Sequence, residues 1–151
     1  MEYVVITKVL IAAGLGSLIG LEREISRKVA GIRTHALVSL ASALFTSISV
    51  DAFRYQVITS GYDPTRIISN IIVGIGFIGA GAILKKGERV EGTTTAAGLW
   101  AVAAIGVTVG IGLYREAILV TAIVYGILQS LWVIEKKIRH KMGLTEDHVD
   151  Y

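Results

Sequence analysis

The chain has no cysteine. That absence removes disulfides, thiolate metal sites and cysteine nucleophiles together. There is a single proline, and charged residues make up only 18% of 151 positions, well under the usual quarter. With so few charges the chain cannot coat a small soluble domain, which leaves a large share of its area in water. No nucleophile–base pair with a supporting third group is visible, and there is no Walker loop. Enzyme activity is therefore not expected, and neither is a cofactor.

Apolar residues and glycine fill the space instead. Hydrophobic residues are 53% of the chain and glycines number 17, and mean hydropathy is +0.65. The fold class expected is all-α: a polytopic transmembrane bundle of five spans with glycine-rich packing. A spanning helix needs about 20 mostly apolar residues. The runs fall at about 3–21, 35–53, 67–84, 94–113 and 117–134. A cleaved signal peptide predicts one such run, not five. Soluble helices also show a polar face, and runs three and four are apolar or small all round. The expected organisation is a transmembrane domain over 1–142 and a cytoplasmic tail over 143–151.

Net charge is +3. The basic residues sit in short segments between the apolar runs, so they report topology and anionic lipid rather than nucleic acid. With five spans, the segments after runs one, three and five share a side and carry eleven basic residues, from Arg23 to Lys141. The other side carries three: Arg54, Arg66 and Arg115. The positive-inside rule places the N-terminus outside and the C-terminus in the cytoplasm of a multi-pass cell-membrane protein. Lys8, inside the first run, is expected to snorkel toward the outer end. Thr93, Thr94 and Thr95 are expected to cap the fourth helix, and Asp63-Pro64 to start the third.

A shift of 60 residues aligns Ile11 with Ile71, Gly14 with Gly74, Gly16 with Gly76, Thr34 with Thr94 and Ala43 with Ala103. This is either a parallel internal repeat or chance among abundant small residues.

Run three holds Gly74, Gly76, Gly79 and Gly81. A dinucleotide fingerprint must follow a strand and meet water, and these glycines lie within an apolar span. They suit close helix packing, or a locally opened helix lining a cavity. Gly16 and Gly20, and Gly106 and Gly110, are GxxxG pairs of the same kind.

Two polar clusters are candidate sites. On the cytoplasmic face stand Glu22, Arg23, Glu24, Arg33, Thr34, His35, Thr94 and Thr95. The first six flank one short loop and can pair across it, or form an ion or anion entry site. His35 has no second metal ligand at helical spacing, so any metal is unassigned. On the outer face stand Asp51, Arg66 and Asn70. Asp51 can bind a cation weakly or pair with Arg54 at i+3. Asn70 either links helices by a hydrogen bond or lines a polar path.

The segments Gly20-Leu21-Glu22-Arg23-Glu24, Ala30 to Val38, Asp63-Pro64-Thr65-Arg66-Ile67, the glycine run 74–82, and Gly92 to Trp100 occur in one order and spacing. Together they resemble the MgtC/SapB family of bacterial and archaeal membrane proteins. The resemblance implies a hydrophobic membrane domain and a link to low-magnesium or acid stress. It also implies action on membrane partners such as an ATPase. Many members carry a soluble C-terminal domain, and this chain is expected to be a short form without it. Asn70 stands where relatives often have Gln. Two functions follow: a regulator that binds another membrane protein, or an ion transporter, Mg2+ included. The lipid bilayer and a second copy, as a homodimer, complete the expected partners.

Overall fold

The computed structural model describes residues 2–56, 63–86 and 89–141. Five helices and one short hairpin follow in order: α1 Glu2–Ile25, α2 Ile32–Gln56, α3 Thr65–Gly81, β1 Leu84–Lys86, β2 Arg89–Glu91, α4 Thr93–Ile111 and α5 Tyr114–Lys141. All five apolar runs are helices. Tyr3–Ile25, Ile32–Phe53 and Thr93–Ile111 are each long and apolar enough to cross a membrane, and α3 is apolar but only 17 residues long. The tail 143–151 lies outside the described residues.

The helices alternate in direction, and two tiers of core side chains show it. At one level Ile19, Val38, Ile75 and Leu99 pack together, with Val124 and Leu128 against them. At the other, Ala12, Ala43, Ile105, Val109 and Ala117 pack together. α1 and α5 therefore run one way, and α2 and α4 the other. The Ser49 hydroxyl at the far end of α2 donates to the Pro64 carbonyl oxygen at 3.1 Å, so α3 starts beside that end and runs with α1 and α5. The α1–α2 loop, the hairpin and the end of α5 fall at one end of the bundle, so the three basic segments share a side. α4 is central and touches each of the other four helices.

Glycine sets the spacing between α1, α2 and α4. A Cβ on Gly106 would lie 2.2 Å from the Ser39 carbonyl oxygen, and one on Gly16 would lie 2.6 Å from that of His35. A Cβ on Gly20 would lie 2.6 Å from Ile32 Cα, and one on Gly110 2.6 Å from Thr46 Cβ. These contacts forbid any side chain, so the two GxxxG pairs are true close-approach faces. The hairpin needs glycine for a second reason. Gly92 has φ 86°, a left-handed conformation that other residues adopt at a cost.

Three expectations are corrected here. Run three stops at Gly81 rather than 84, because Leu84 leaves the helix to pair with Glu91 in the antiparallel hairpin. Thr93, Thr94 and Thr95 do not cap α4. Its N-cap is Gly92, with no side-chain cap bond. Nor does Lys8 snorkel: it is 6% exposed, and its Nζ donates to the Gly110 carbonyl oxygen at 2.7 Å. Asp63-Pro64 does begin α3. The Asp63 carboxylate accepts from the Thr65 amide at 2.9 Å and hydroxyl at 2.7 Å.

α2 is inside-out. Its inward residues include His35, Ser39, Ser42, Thr46, Ser47 and Ser49, while Leu37, Phe45, Ile48 and Phe53 face outward. That is the pattern of a helix with lipid outside and polar side chains within the bundle. The α1–α2 and α3–α4 pairs share their directions, as a repeat requires. Their packing differs, because Gly16 presses on α2 while its counterpart Gly76 has nothing within 4 Å of a Cβ.

Candidate functional site

The loop between α1 and α2 builds the first site. Arg23 pairs with its chain neighbour Glu22 through Nε and Oε2, and through Nη2 and Oε1 at 2.6 Å. Each residue is 3% exposed. Such a pair is retained only when both charges are well satisfied, and Ser26 Oγ donates to Glu22 Oε1 at 2.9 Å as well. Glu24 crosses the loop instead, its Oε2 accepting from the Ile32 amide at 2.9 Å. It thereby satisfies one of the donors left open at the start of α2. Among the described residues, no charged side chain forms an ion pair with Arg33 across the loop. Arg33 is exposed and Thr34 half-buried.

His35 is fully buried one turn into α2. Its Nδ1 lies 2.9 Å from the Gly31 carbonyl oxygen. A carbonyl only accepts, so Nδ1 carries the proton and Nε2 presents a lone pair when the ring is neutral. Among the described residues, Nε2 has no hydrogen-bond partner, and neither do Ser39 Oγ, Thr46 Oγ1 or Thr95 Oγ1, all buried. Nε2 faces Gly98, where a Cβ would sit 3.6 Å away. Thr95 is one turn before Gly98 on α4. The structure therefore joins Glu22, Arg23, His35 and Thr95 at one end of the bundle, and leaves Thr94 and Arg33 exposed. Among the described residues, no group of three His, Cys, Asp or Glu side chains could hold a metal ion.

The outer-face residues meet differently. A crevice of about 520 Å³ runs between α2 and α3, lined by Leu37, Val38, Ala41, Ser42, Phe45, Ile67, Asn70, Ile71, Gly74, Ile75 and Ile78. Asn70 and Ser42 supply its side-chain polar groups. The volume is that of a typical ligand pocket, but the walls are greasy. Arg66 is exposed at the start of α3 and does not line the crevice. Asp51 is half-buried and has a partner, while the Arg54 side chain lies outside the described residues. Of the α3 glycines, Gly79 is in ordinary contact with Ala96 at 3.5 Å, while among the described residues Gly74, Gly76 and Gly81 have nothing within 4 Å of a Cβ. As an intrachain packing seam, then, the run is corrected to one glycine. Gly74 lines the crevice.

Sequence reasoning missed Lys8 and the hydroxyl stripe of α2. Lys8 stands one turn from Ala12 and two from Gly16, and its partner on α4 lies too far along the chain to be read from the sequence. The stripe was readable as the i, i+4, i+7, i+11 series 35, 39, 42, 46.

The chain matches the MgtC family over residues 9–137. It is 43% identical over 119 residues to Protein MgtC of Salmonella typhimurium, covering 79% of this chain and 48% of that protein. It is 40% identical over 132 residues to an Escherichia coli protein named putative magnesium transporter YhiD, covering 86% and 59%. An uncharacterised Haemophilus influenzae protein is 36% identical over 142 residues, covering 91% and 60%. The chain thus spans about half to three-fifths of these relatives. No solved structure matches it.

Proposed function

Because the chain belongs to the MgtC family, we propose that it is a membrane-embedded regulator linked to magnesium homeostasis or to acid or low-magnesium stress, acting by docking another membrane protein such as an ATPase. The observation that carries this reading is the α2–α3 crevice. It is open, apolar, and holds one exposed amide, Asn70. A partner's transmembrane helix fits such a groove: van der Waals packing supplies the contact, and the amide supplies an interhelical hydrogen bond. The glycines facing outward from α3 allow that helix to come close. The alternating helix directions support an orientation with the basic end in the cytoplasm and the N-terminus outside.

The second reading is an ion transporter or channel, Mg2+ included. It has the name of the Escherichia coli relative in its favour. The crevice argues against a cation path there, since a hydrated divalent ion needs oxygen ligands and the lining offers two polar side chains.

The absence of cysteine makes the test clean. Asn70→Cys in native membranes, treated with a thiol crosslinker, is expected to yield an adduct with a different membrane protein, identified by mass. A product of twice the monomer mass alone would mean a homodimer face and overturn the docking of another protein. Saturable Mg2+ uptake by the purified chain in liposomes, lost in Asn70→Leu, would replace the regulator with a transporter.

A further inference from the structure

The crevice between α2 and α3 has a cationic mouth at the end of the bundle where the basic segments lie. We infer that it binds one anionic phospholipid, with an acyl chain in the crevice and the phosphate at Arg33 and Lys85. The crevice is open and almost wholly apolar, which suits an acyl chain. Its α2 wall runs from Leu37 to Phe45. Arg33 stands one turn before Leu37, on the same face of the helix. From Arg33 to Phe45 α2 rises about 18 Å. One leaflet is half of a hydrocarbon core of about 30 Å, so an acyl chain anchored at Arg33 reaches the far end of this wall.

Lys85 comes to the same mouth from the other side. Ala30 and Ala82 are buried in one cluster with Val38 and Ile75. That cluster brings the start of α2 and the end of α3 together, and Arg33 and Lys85 each stand three residues beyond one of its alanines. Both cations are exposed. Among the described residues neither forms an ion pair, and the acids of that end are engaged elsewhere. Glu22 holds Arg23, Glu24 Oε2 accepts from the Ile32 amide, and Glu91 has a partner. Two unneutralised cations beside an apolar groove between membrane helices are the chemistry that recognises an anionic headgroup. α2 begins there, so its positive pole adds to the attraction. Helical side chains lean toward the N-terminus, which carries the Arg33 guanidinium out of the groove toward headgroup depth.

The lipid site stands without any protein partner. A partner helix docking in the crevice must displace this lipid, so lipid and partner bind in competition.

The test is native mass spectrometry of the purified full chain in a non-ionic detergent, with phosphatidylglycerol or phosphatidylcholine of the same acyl chains added. One phosphatidylglycerol is expected to stay bound per chain, and phosphatidylcholine to bind about thirtyfold more weakly, the effect of two cations on one net negative charge. Arg33→Ala combined with Lys85→Ala changes only exposed side chains, and is expected to bring phosphatidylglycerol down to the phosphatidylcholine level. Gly74→Leu fills the crevice from a position where, among the described residues, a Cβ meets nothing within 4 Å. It is expected to lose both lipids with the elution volume unchanged. If Gly74→Leu does not fold, Ala41→Leu on the opposite wall takes its place. Equal retention of the two lipids by the wild type would overturn the site. So would phosphatidylglycerol retained in full by a folded crevice-filling variant, which would mean charge attraction at the surface alone.

Discussion

The Lys8 ammonium donates to the Gly110 carbonyl oxygen at 2.7 Å, and so ties the start of α1 to the end of α4. The last four carbonyls of a helix lack intrahelical donors. Here the Gly112 amide reaches those of Thr108 and Val109, and Lys8 takes the next. A cation at this end also meets the negative pole of the helix. Removing the ammonium loses that bond but also removes a buried charge, and the two effects oppose. Lys8→Met is therefore expected to unfold within about 1 kcal/mol of wild type in detergent, since Ser47 still reaches Gly110. Lys8→Glu, which buries an anion at the negative pole, is expected to lose several kcal/mol. A Lys8→Met loss above about 3 kcal/mol would mean that the ammonium does more than close this helix end.

The glycines separate into two classes that a single substitution distinguishes. Gly106→Ala drives a methyl to 2.2 Å from the Ser39 carbonyl oxygen. Overpacking of this kind costs about 1–3 kcal/mol or more. At Gly76 a methyl meets nothing within 4 Å, so alanine is expected to stabilise by up to about 1 kcal/mol through helix propensity. Thermal melts of the two variants in one detergent should move in opposite directions. Equal shifts would contradict the close approach of α4 to α2.

Much of this architecture was legible in the sequence. Apolar run length located all five helices, and counting them placed the three basic segments at one end of the bundle. Asp63-Pro64 marked the start of α3 because its cap is local. What was not legible depends on neighbours distant in the chain. Gly16 and Gly76 look alike in sequence, yet only Gly16 meets another helix. Glu22, Arg23, Glu24 and Arg33 have the composition of a cross-loop ion-pair set, but Glu24 is consumed by the Ile32 amide. Lys8 reads as a snorkelling residue until α4 is seen to end beside it. The spacing of Ser39, Ser42 and Thr46 puts these hydroxyls on one face of α2, and the packing shows that this face is the inward one.

Glu24 should behave as a cap rather than as a charge. Its carboxylate satisfies the Ile32 amide at the start of α2. Glu24→Ala is expected to cost about 0.5–2 kcal/mol, the usual penalty for a lost N-terminal cap. Glu24→Gln keeps an acceptor oxygen and should recover most of that. Melting temperatures in detergent decide it. If Gln is as damaging as Ala, the carboxylate's charge matters more than its acceptor, and the capping account fails.

Asp63 gives a pH dependence whose sign follows from its contacts. The Thr65 hydroxyl and then the Thr65 amide donate to its carboxylate, and together they hold its pKa below the ordinary 3.8. The folded state therefore prefers the ionised form. Its contribution to α3 is complete above pH 3.8 and is lost as pH falls through the lower folded value. Carboxyl-carbon titration by NMR is expected to find the Asp63 midpoint below 3.8. Thr65→Val removes the larger of the two donors and should bring that midpoint upward while keeping the amide bond. Asp63→Asn should abolish the acid-induced loosening at the start of α3, seen as amide exchange at Thr65 and Arg66 that no longer accelerates on acidification beyond the intrinsic rate. A midpoint unchanged by Thr65→Val would remove the hydroxyl as the cause.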